Sequence, residues 1–390
     1  MVQEQKIRVL RLISRMNVGG PAIQIAGIEN GINGLRFDHI LVTGECDESE
    51  IDYLSSHNFN FKVEKISGLG KRIKIVDDFR TFLKLRQLIR KFNPDIVHTH
   101  TAKAGTLGRL VCLFSNRNIF LVHTFHGHLL SGYFGKFTTW MIILVERFLA
   151  KRSDVLISVG KKTRDELLDV GIGDLSKYRI INPGCELSKI PRRDEVVHSL
   201  GLNPRFRYVS WLGRIVKIKR PDRLIEIAHW LKDNYPDVRI LVAGDGPLRK
   251  EVEKKASQSD LPIQFLGWVL NIESVLAVSE IMILTSDNEG TPLSLIQAQL
   301  AGLPVVATDV GSTSEIVAND ETGFIVPMSV ELFNKAIGTL LQDEEKARLM
   351  GQRARIRALE LYSVERLVRD HEKIYLELMS SVQPISRPKL

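Results

Sequence analysis

The sequence predicts an α/β protein built from two doubly wound domains, each around a parallel sheet. Three observations predict it. The chain has 390 residues, a length that suits two domains of ordinary size. Short β-rich runs alternate with amphipathic stretches in both halves, the pattern of βαβ units. The alternation breaks once, at Cys185–Arg205, where CELSKIPRRDEVVHSLGLNPR holds two prolines and a run of charge. That stretch reads as an interdomain linker.

In the first half, Ile7–Ile13 reads as a strand, followed by a Gly-Gly-Pro loop and a helix near Ala22–Gly31. His39–Val42 is the next strand. Phe79, Phe82, Leu83, Leu85, Leu88 and Ile89 fall at helical spacing within Asp77–Lys91, and Pro94 stops that helix. Asp95–His98, Phe120–Thr124 and Val155–Val159 continue the strands, with a helix between the last two. In the second half, Tyr208–Leu212 is a strand, Pro221–Asn234 a helix and Arg239–Ala243 a strand. Ile263–Leu266, Ile281–Leu284 and Pro304–Ala307 are further strands. No tandem repeat or low-complexity segment interrupts the series. Ligands of such sheets bind beyond the carboxyl ends of the strands, and two such domains in tandem are expected to enclose a cleft.

Composition narrows the class. Hydrophobic residues make up 44% and charged residues 26%, which excludes a disordered, collagenous or coiled-coil chain. The three cysteines, Cys46, Cys112 and Cys185, are far apart and form no CxxC or Cys/His cluster. They are expected to be reduced thiols of a cytoplasmic protein. The first fifteen residues, MVQEQKIRVLRLISR, hold no apolar stretch of signal-peptide length, and no run reaches the roughly 18 apolar residues of a membrane span. The formal net charge of +8 favours anionic partners without choosing among phosphorylated ligands, membrane surfaces and nucleic acid.

Three stretches can carry chemistry. Asn17-Val18-Gly19-Gly20-Pro21 lies between a strand and a helix. Gly19 and Gly20 would let a ligand approach the backbone, and the helix N-terminus suits phosphate. The stretch is not GxGxxG and has no Walker lysine, which counts against nicotinamide and P-loop chemistry. Leu212-Gly213-Arg214-Ile215-Val216-Lys217-Ile218-Lys219-Arg220-Pro221 clusters cations at a strand end. A departing diphosphate needs positive charge as its bond breaks, and Arg and Lys supply it differently, one as a planar fork and one as a point charge. Finally, Thr285–Gln297 runs from a strand through a glycine-containing loop into a helix. Glu289 would accept from sugar hydroxyls, the backbone of Gly290, Thr291, Pro292 and Leu293 would open the helix toward a phosphate, and Gln297 falls about two turns further on. Proline offers no N–H, so the donors there are its neighbours.

These residues resemble the retaining glycosyltransferases of family 4, the glycosyl transferases group 1 superfamily. EGTPLSLIQAQLAGLPVVATDVGSTSEIV carries the resemblance most strongly. LGRIVKIKRPDRLI, LVAGDGPLRKEV, PGCE and YSVERLVRDHEKIY support it in order. DIVHTHTAKAGTLGRL and HTFHGHLLSGYFGK resemble the bacterial surface-polysaccharide members. The resemblance implies a GT-B fold of two facing Rossmann-like domains with an interdomain cleft. Residues 1–185 would be the acceptor domain and 186–362 the nucleotide-sugar domain, with 363–390 a helix crossing back and a tail. It implies transfer of a hexosyl group, with retention, from a nucleotide sugar, UDP-linked by family frequency, to a lipid-linked or polysaccharide acceptor. No metal or other cofactor is required, and no nucleic acid is involved. Arg214 and Lys219 match the basic pair on the donor diphosphate, Glu289 the carboxylate at the transferred sugar, Gly19 and Gly20 the N-terminal glycine loop, and His126 a histidine at the sugar. Gln297 stands where the family usually has a second Glu, at the ribose. Gly160 and Asn182-Pro183-Gly184-Cys185-Glu186 also depart from the usual pattern.

Two other function classes share these features: a GT-B enzyme such as a nucleotide-sugar epimerase, and a non-catalytic sugar-nucleotide-binding subunit, which Gln297 makes thinkable. The histidines His98, His100, His123, His126 and His128 have no third-ligand pattern, so no metal site is expected. His98 and His123 read as structural. Tyr133–Arg152 mixes Phe134, Phe137, Trp140, Ile142, Ile143 and Phe148 with Lys136, Arg147, Lys151 and Arg152. It suits either an interfacial helix on the inner face of the cytoplasmic membrane or an ordinary domain helix.

Overall fold

In a computed structural model the chain divides into two units, residues 1–184 with 364–390, and residues 185–363. The structure describes residues 5–48, 50–55, 59–70, 75–115, 118–127, 135–187 and 189–380. His128, Tyr133 and Phe134, and the side chain of Lys136, lie outside that description.

Unit 1 runs β1 (Ile7–Arg15), α1 (Gly20–Gly31), β2 (Phe37–Gly44), β3 (Val63–Lys65), α2 (Ile75–Phe92), β4 (Ile96–His100), α3 (Ala102–Leu113), β5 (Phe120–Phe125), α4 (Lys136–Arg152), β6 (Val155–Ser158), α5 (Lys161–Asp169) and β7 (Tyr178–Ile180). The strands pair in parallel in the order β3-β2-β1-β4-β5-β6-β7. Their near-continuous apolar runs follow from burial on both faces, and side-chain alternation sorts each strand between two cores. Val9, Ile96, Phe120 and Val122 face one core with Ile28 of α1 and Ile32 just after it. Leu10, Leu12, Val97 and Leu121 face the other with Leu85 and Ile89 of α2 and Val111 of α3.

Unit 2 runs α6 (Arg193–Ser199), β8 (Arg207–Leu212), α7 (Pro221–Asn234), β9 (Val238–Ala243), α8 (Arg249–Gln258), β10 (Ile263–Gly267), α9 (Ile272–Val278), β11 (Ser279–Leu284), α10 (Leu293–Leu300), β12 (Val305–Thr308), α11 (Thr313–Ile316), β13 (Gly323–Val326), α12 (Val330–Gln342) and α13 (Glu344–Tyr362). The sheet order is β10-β9-β8-β11-β12-β13, all parallel. Val209 and Trp211 of β8 pack with Leu224, Ile227 and Leu231 of α7 and with Phe333 and Ile337 of α12.

The reading of Cys185–Arg205 as a linker needs correction. α6 forms within it and buries Val196 and Val197. Arg193 ties it down by donating to the carbonyl oxygens of Val278 (3.0 Å) and Phe206 (2.9 Å). A helix of 7 residues between two prolines leaves little periodicity to read, and the charges that suggested solvent sit on its open side.

After unit 2 the chain returns to unit 1 as α14 (Val364–Ser380). Leu367, Val368, His371, Ile374, Tyr375 and Leu378 form its buried stripe, at the spacing of one helix face. The stripe lies along α1, where a Cβ on Gly31 would come within 2.6 Å of Val368.

Candidate functional site

Each sheet has one point where its strand order reverses, between β8 and β11 in unit 2 and between β1 and β4 in unit 1. Ligand crevices open at such points beyond the carboxyl ends of the strands. The residues singled out from sequence fall at both.

In unit 2 the loop after β8 carries Arg214 and Lys219, and the loop after β11 carries Glu289. Lys219 Nζ forms an ion pair with Glu289 Oε1, and the same oxygen accepts from Ser286 Oγ at 2.6 Å. The loops are bound together beneath that pair. Trp211 Nε1 donates to Thr285 Oγ1 (3.0 Å), which donates to the carbonyl of Lys219 (2.8 Å). The N–H of Asp287 donates to the carbonyl of Ile218 (2.8 Å), and Arg223 pairs with Asp287 (2.7 Å). Arg220 holds φ +52° at the start of α7, an uncommon conformation for a non-glycine residue that persists only when its surroundings enforce it. Gly311, at φ +52°, passes so close to the backbone of Glu289 that a Cβ there would lie 1.6 Å from the Glu289 carbonyl oxygen. Any side chain at Gly311 would displace Glu289. Sequence reading missed this support because the two residues are distant in the chain.

Arg214 is exposed, and its guanidinium has no hydrogen-bond or acidic partner among the described residues. Gly290 and Thr291 lie between Glu289 and α10, with Pro292 at its N-cap and Leu293 its first residue. Gln297 is half-buried within α10, and its amide has no partner among the described residues. The arrangement therefore sets one carboxylate, one paired cation, one free cation and a helix N-terminus around one crevice. That set suits a diphosphate joined to a hydroxyl-rich group.

In unit 1, Gly19 caps α1 and Gly20 begins it, at the end of β1. A Cβ on Gly19 would meet only the Asn17 carbonyl oxygen, at 3.8 Å. Across the reversal point stands Thr101, with φ +63°. Its hydroxyl donates to the His100 carbonyl (2.6 Å) and accepts from the Ser14 N–H (3.2 Å).

His98 and His100 alternate along β4, so both face the core shared with α14. His98 stacks on His100 with ring centroids 4.2 Å apart and on His371 at 5.6 Å. Arg11 Nη2 donates to the Tyr375 hydroxyl (2.6 Å), and Arg11 pairs with the buried carboxylate of Glu29. Arginine only donates. The Tyr375 O–H is then free to donate to His98 Nδ1 (2.6 Å), and His98 Nε2–H donates to Thr124 Oγ1 (2.7 Å). His98 is thus a satisfied, neutral structural histidine.

His126 follows β5. Its Nε2 hydrogen-bonds His100 Nδ1 at 2.9 Å. His126 Nδ1 and His100 Nε2, both buried, have no partner among the described residues. Whichever ring donates, the pair retains one free N–H and one free lone pair, and it can both give and receive a hydrogen bond. Burial holds the His126 imidazole down to about 4 and that of His371 to about 3. It also holds His98, His100 and His123 well below the usual range, with Arg11 or Arg109 nearby adding to it or, for His100, the neighbouring His98. His100 is the member of this pair that sequence reading left unassigned. Its signal was the His-x-His alternation on a strand.

Comparisons with known proteins give the family and the fold. Residues 18–189 match the family model described as Glycosyltransferase Family 4, and residues 192–357 match Glycosyl transferases group 1. Together the two models take in most of the chain, which belongs to this glycosyltransferase family. It is 26% identical over 357 residues to the UDP-Gal:alpha-D-GlcNAc-diphosphoundecaprenol alpha-1,3-galactosyltransferase of Escherichia coli, covering 88% of this chain and 90% of that one. Among solved structures, sucrose-phosphate synthase from Thermosynechococcus elongatus superposes with a TM-score of 0.81 at 19% identity, over 96% of this chain and all (100%) of that one. Anabaena HepE in complex with UDP-glucose does so with a TM-score of 0.81 at 21% identity, over 95% of this chain and 100% of that one. The fold is thus GT-B, and the protein is a glycosyltransferase.

Proposed function

We propose that the enzyme transfers a hexosyl group from a UDP-sugar to a lipid-linked or polysaccharide acceptor, with retention at the anomeric carbon, in the assembly of a bacterial surface glycan. The observation that carries this reading is the Lys219–Glu289 pair at the strand-order reversal of unit 2, with the unpaired Arg214 on the same loop. When the bond from the anomeric carbon to the diphosphate oxygen breaks, its electron pair goes to the diphosphate. Lys219 and Arg214 stabilise that charge, which removes the need for a metal. Glu289 accepts from hydroxyls of the transferred sugar. Residues 186–362 hold the donor and residues 1–185 receive the acceptor, with Gly19 and Gly20 as the glycine loop for the phosphates, His126 at the sugar on the acceptor side, and 363–390 completing that domain. Gln297 reaches the ribose. The acceptor class follows the names of the relatives, one of which carries its glycan on diphosphoundecaprenol. The reaction takes place on the cytoplasmic side, where nucleotide sugars serve as donors.

A panel of UDP-, GDP- and ADP-sugars tests the donor by melting shift. A ligand at a hundred times its Kd stabilises by about 2.7 kcal/mol. Labelled donor then separates the outcomes. Label moving to a lipid extract supports transfer, donor converting in place indicates an epimerase, and binding without turnover indicates a non-catalytic subunit. The anomeric configuration of the product, read by nuclear magnetic resonance, decides retention.

A further inference from the structure

We propose that the layer of helices α2, α3 and α4 on unit 1 is a docking surface for an anionic lipid bilayer. The inference deepens the lipid-linked acceptor reading. The three helices share one face of the sheet: Leu85 and Ile89 of α2 and Ala104 and Val111 of α3 pack in one core, and Ala150 of α4 packs on Phe125 and Leu156 of the neighbouring strands. Arg109 of α3 and Glu146 of α4 pair at 2.7 Å between the two helices.

The outward side of this layer is apolar where solvent would demand polarity. On α4, Phe137, Trp140, Met141, Leu144, Val145 and Phe148 are all exposed, at spacings i, i+3, i+4, i+7, i+8 and i+11. That is a complete helix face, and Phe137 is 75% and Trp140 53% exposed. The core of the protein already takes the opposite face, through Glu146, Leu149 and Ala150, so the stripe is not spare core packing. α2 repeats the arrangement with Val76, Phe79 and Leu83. Phe114, at the end of α3, lies edge-on to Phe82 of α2. Five of the six exposed aromatic side chains among the described residues lie in this layer.

Charge selects the occupant. Lys84, Arg90, Lys91, Arg147, Lys151 and Arg152 have no acidic partner among the described residues. Of the acids on these helices, Glu146 is buried against Arg109, Asp78 pairs with Lys103 at 2.6 Å and Asp77 faces Arg80 at 4.0 Å. Arg152 lies over the Phe148 ring at 3.7 Å, so cation and aromatic form one patch. Aromatic and aliphatic groups flanked by unpaired cations suit an interface whose headgroups are anionic and whose interior is hydrocarbon. A second copy of the same face would set like charges against each other. No helix among the described residues is long and apolar enough to cross a membrane, so the contact is peripheral.

The test is flotation of the full chain with vesicles of phosphatidylcholine alone, and with about one part in three of phosphatidylglycerol, at low and high salt. The wild type should float with the anionic vesicles and about tenfold less with neutral ones, and high salt should weaken binding. Trp140→Glu with Phe148→Glu, and separately Phe79→Glu with Leu83→Glu, should each reduce binding about tenfold. Ile356→Glu with Leu359→Glu, on exposed positions of α13, should leave it unchanged. Unchanged melting and unchanged calorimetric binding of UDP-glucose certify the fold of each variant. Flotation equal on neutral vesicles, or equal for the α4 variant, overturns the proposal. Loss confined to the α4 variant overturns the two-helix surface. A dimer in light scattering that the α4 variant abolishes, without flotation, assigns the face to a second copy instead. Vesicle binding without donor binding would retain this proposal and defeat the donor reading, so the two fail separately.

Discussion

At the strand-order reversal of unit 1 the polar groups are imidazoles sunk into the fold, with His98 and His100 buried behind His126. At the reversal of unit 2 they are Lys219, Glu289 and Arg214, standing in a crevice open to solvent. Both crevices use the same device to aim their loops, a non-glycine residue held at positive φ: Thr101 in unit 1 and Arg220 in unit 2. A common sheet topology therefore fixes where a ligand binds and leaves its chemistry to the loops. One crevice offers neutral donors and acceptors, and the other offers charge.

The contrast breaks most readily with acid. A histidine whose native pKa lies below its unfolded value of about 6.5 binds fewer protons in the native state. Its stabilising contribution is complete above that value and falls as pH drops toward the native pKa, by about 1.4 kcal/mol per pH unit for each group. For His126 and His371 the window runs from about 6.5 down to about 4 and about 3. His98, His100 and His123 titrate in the same direction. The histidines of unit 2, His198 and His229, are exposed. Between pH 7.5 and 5, unit 1 should lose several kcal/mol of stability while unit 2 loses little. Pulse proteolysis with peptide mapping reports the two units separately, and parallel loss in both would refute the contrast.

Within unit 2, Lys219→Ala and Arg214→Ala should each lower turnover by about 10²-fold or more, the usual cost of one preorganised transition-state donor. Arg214→Ala removes no contact among the described residues, so its melting temperature should not move. Turnover within twofold of wild type in either folded variant would remove that residue from the site.

Tyr375→Phe sharpens the comparison from unit 1. It removes one hydrogen bond from Arg11, which keeps Glu29, and one from His98, which keeps Thr124, at about 1–3 kcal/mol for the buried groups. Urea unfolding should register that loss, while calorimetric UDP-sugar affinity stays unchanged. A shift in nucleotide affinity instead would mean that the imidazole stack takes part in donor binding.

Gln297→Glu is the smallest expected effect. A carboxylate accepts from two ribose hydroxyls, whereas an amide has one acceptor oxygen. The charged bond is the stronger kind. Nucleotide affinity should tighten several-fold, about 1 kcal/mol, with kcat nearly unchanged. Weaker calorimetric binding by the Glu variant would show a pocket adapted to the amide.

Periodicity made most of the fold legible. Strands buried on both faces and helices with one apolar stripe announce themselves within a dozen residues, and Pro221–Asn234 matches α7 end to end. Lys219, Glu289 and Arg214 were legible as residue types in loops. Their pairing was not, because 70 residues separate Lys219 from Glu289 and only the adjacency of β8 and β11 joins them. α6 escaped because a helix of 7 residues gives too short a period to read. The His100–His126 bond escaped for the same reason as the Lys219 pair, since it depends on the register between β4 and β5.

The bond between His98 and Tyr375 joins residues 277 positions apart. Unit 2 is contiguous, whereas unit 1 is completed by α14, a helix synthesised after the whole of unit 2. On the ribosome, then, unit 2 can finish folding while the first unit's sheet still waits for its cover. Until then Arg11, Glu29 and His98 have no Tyr375 above them. A nascent chain arrested before residue 364 would hold a mature second unit and an unfinished first one, so the order of synthesis is the reverse of the order in which the two units become complete.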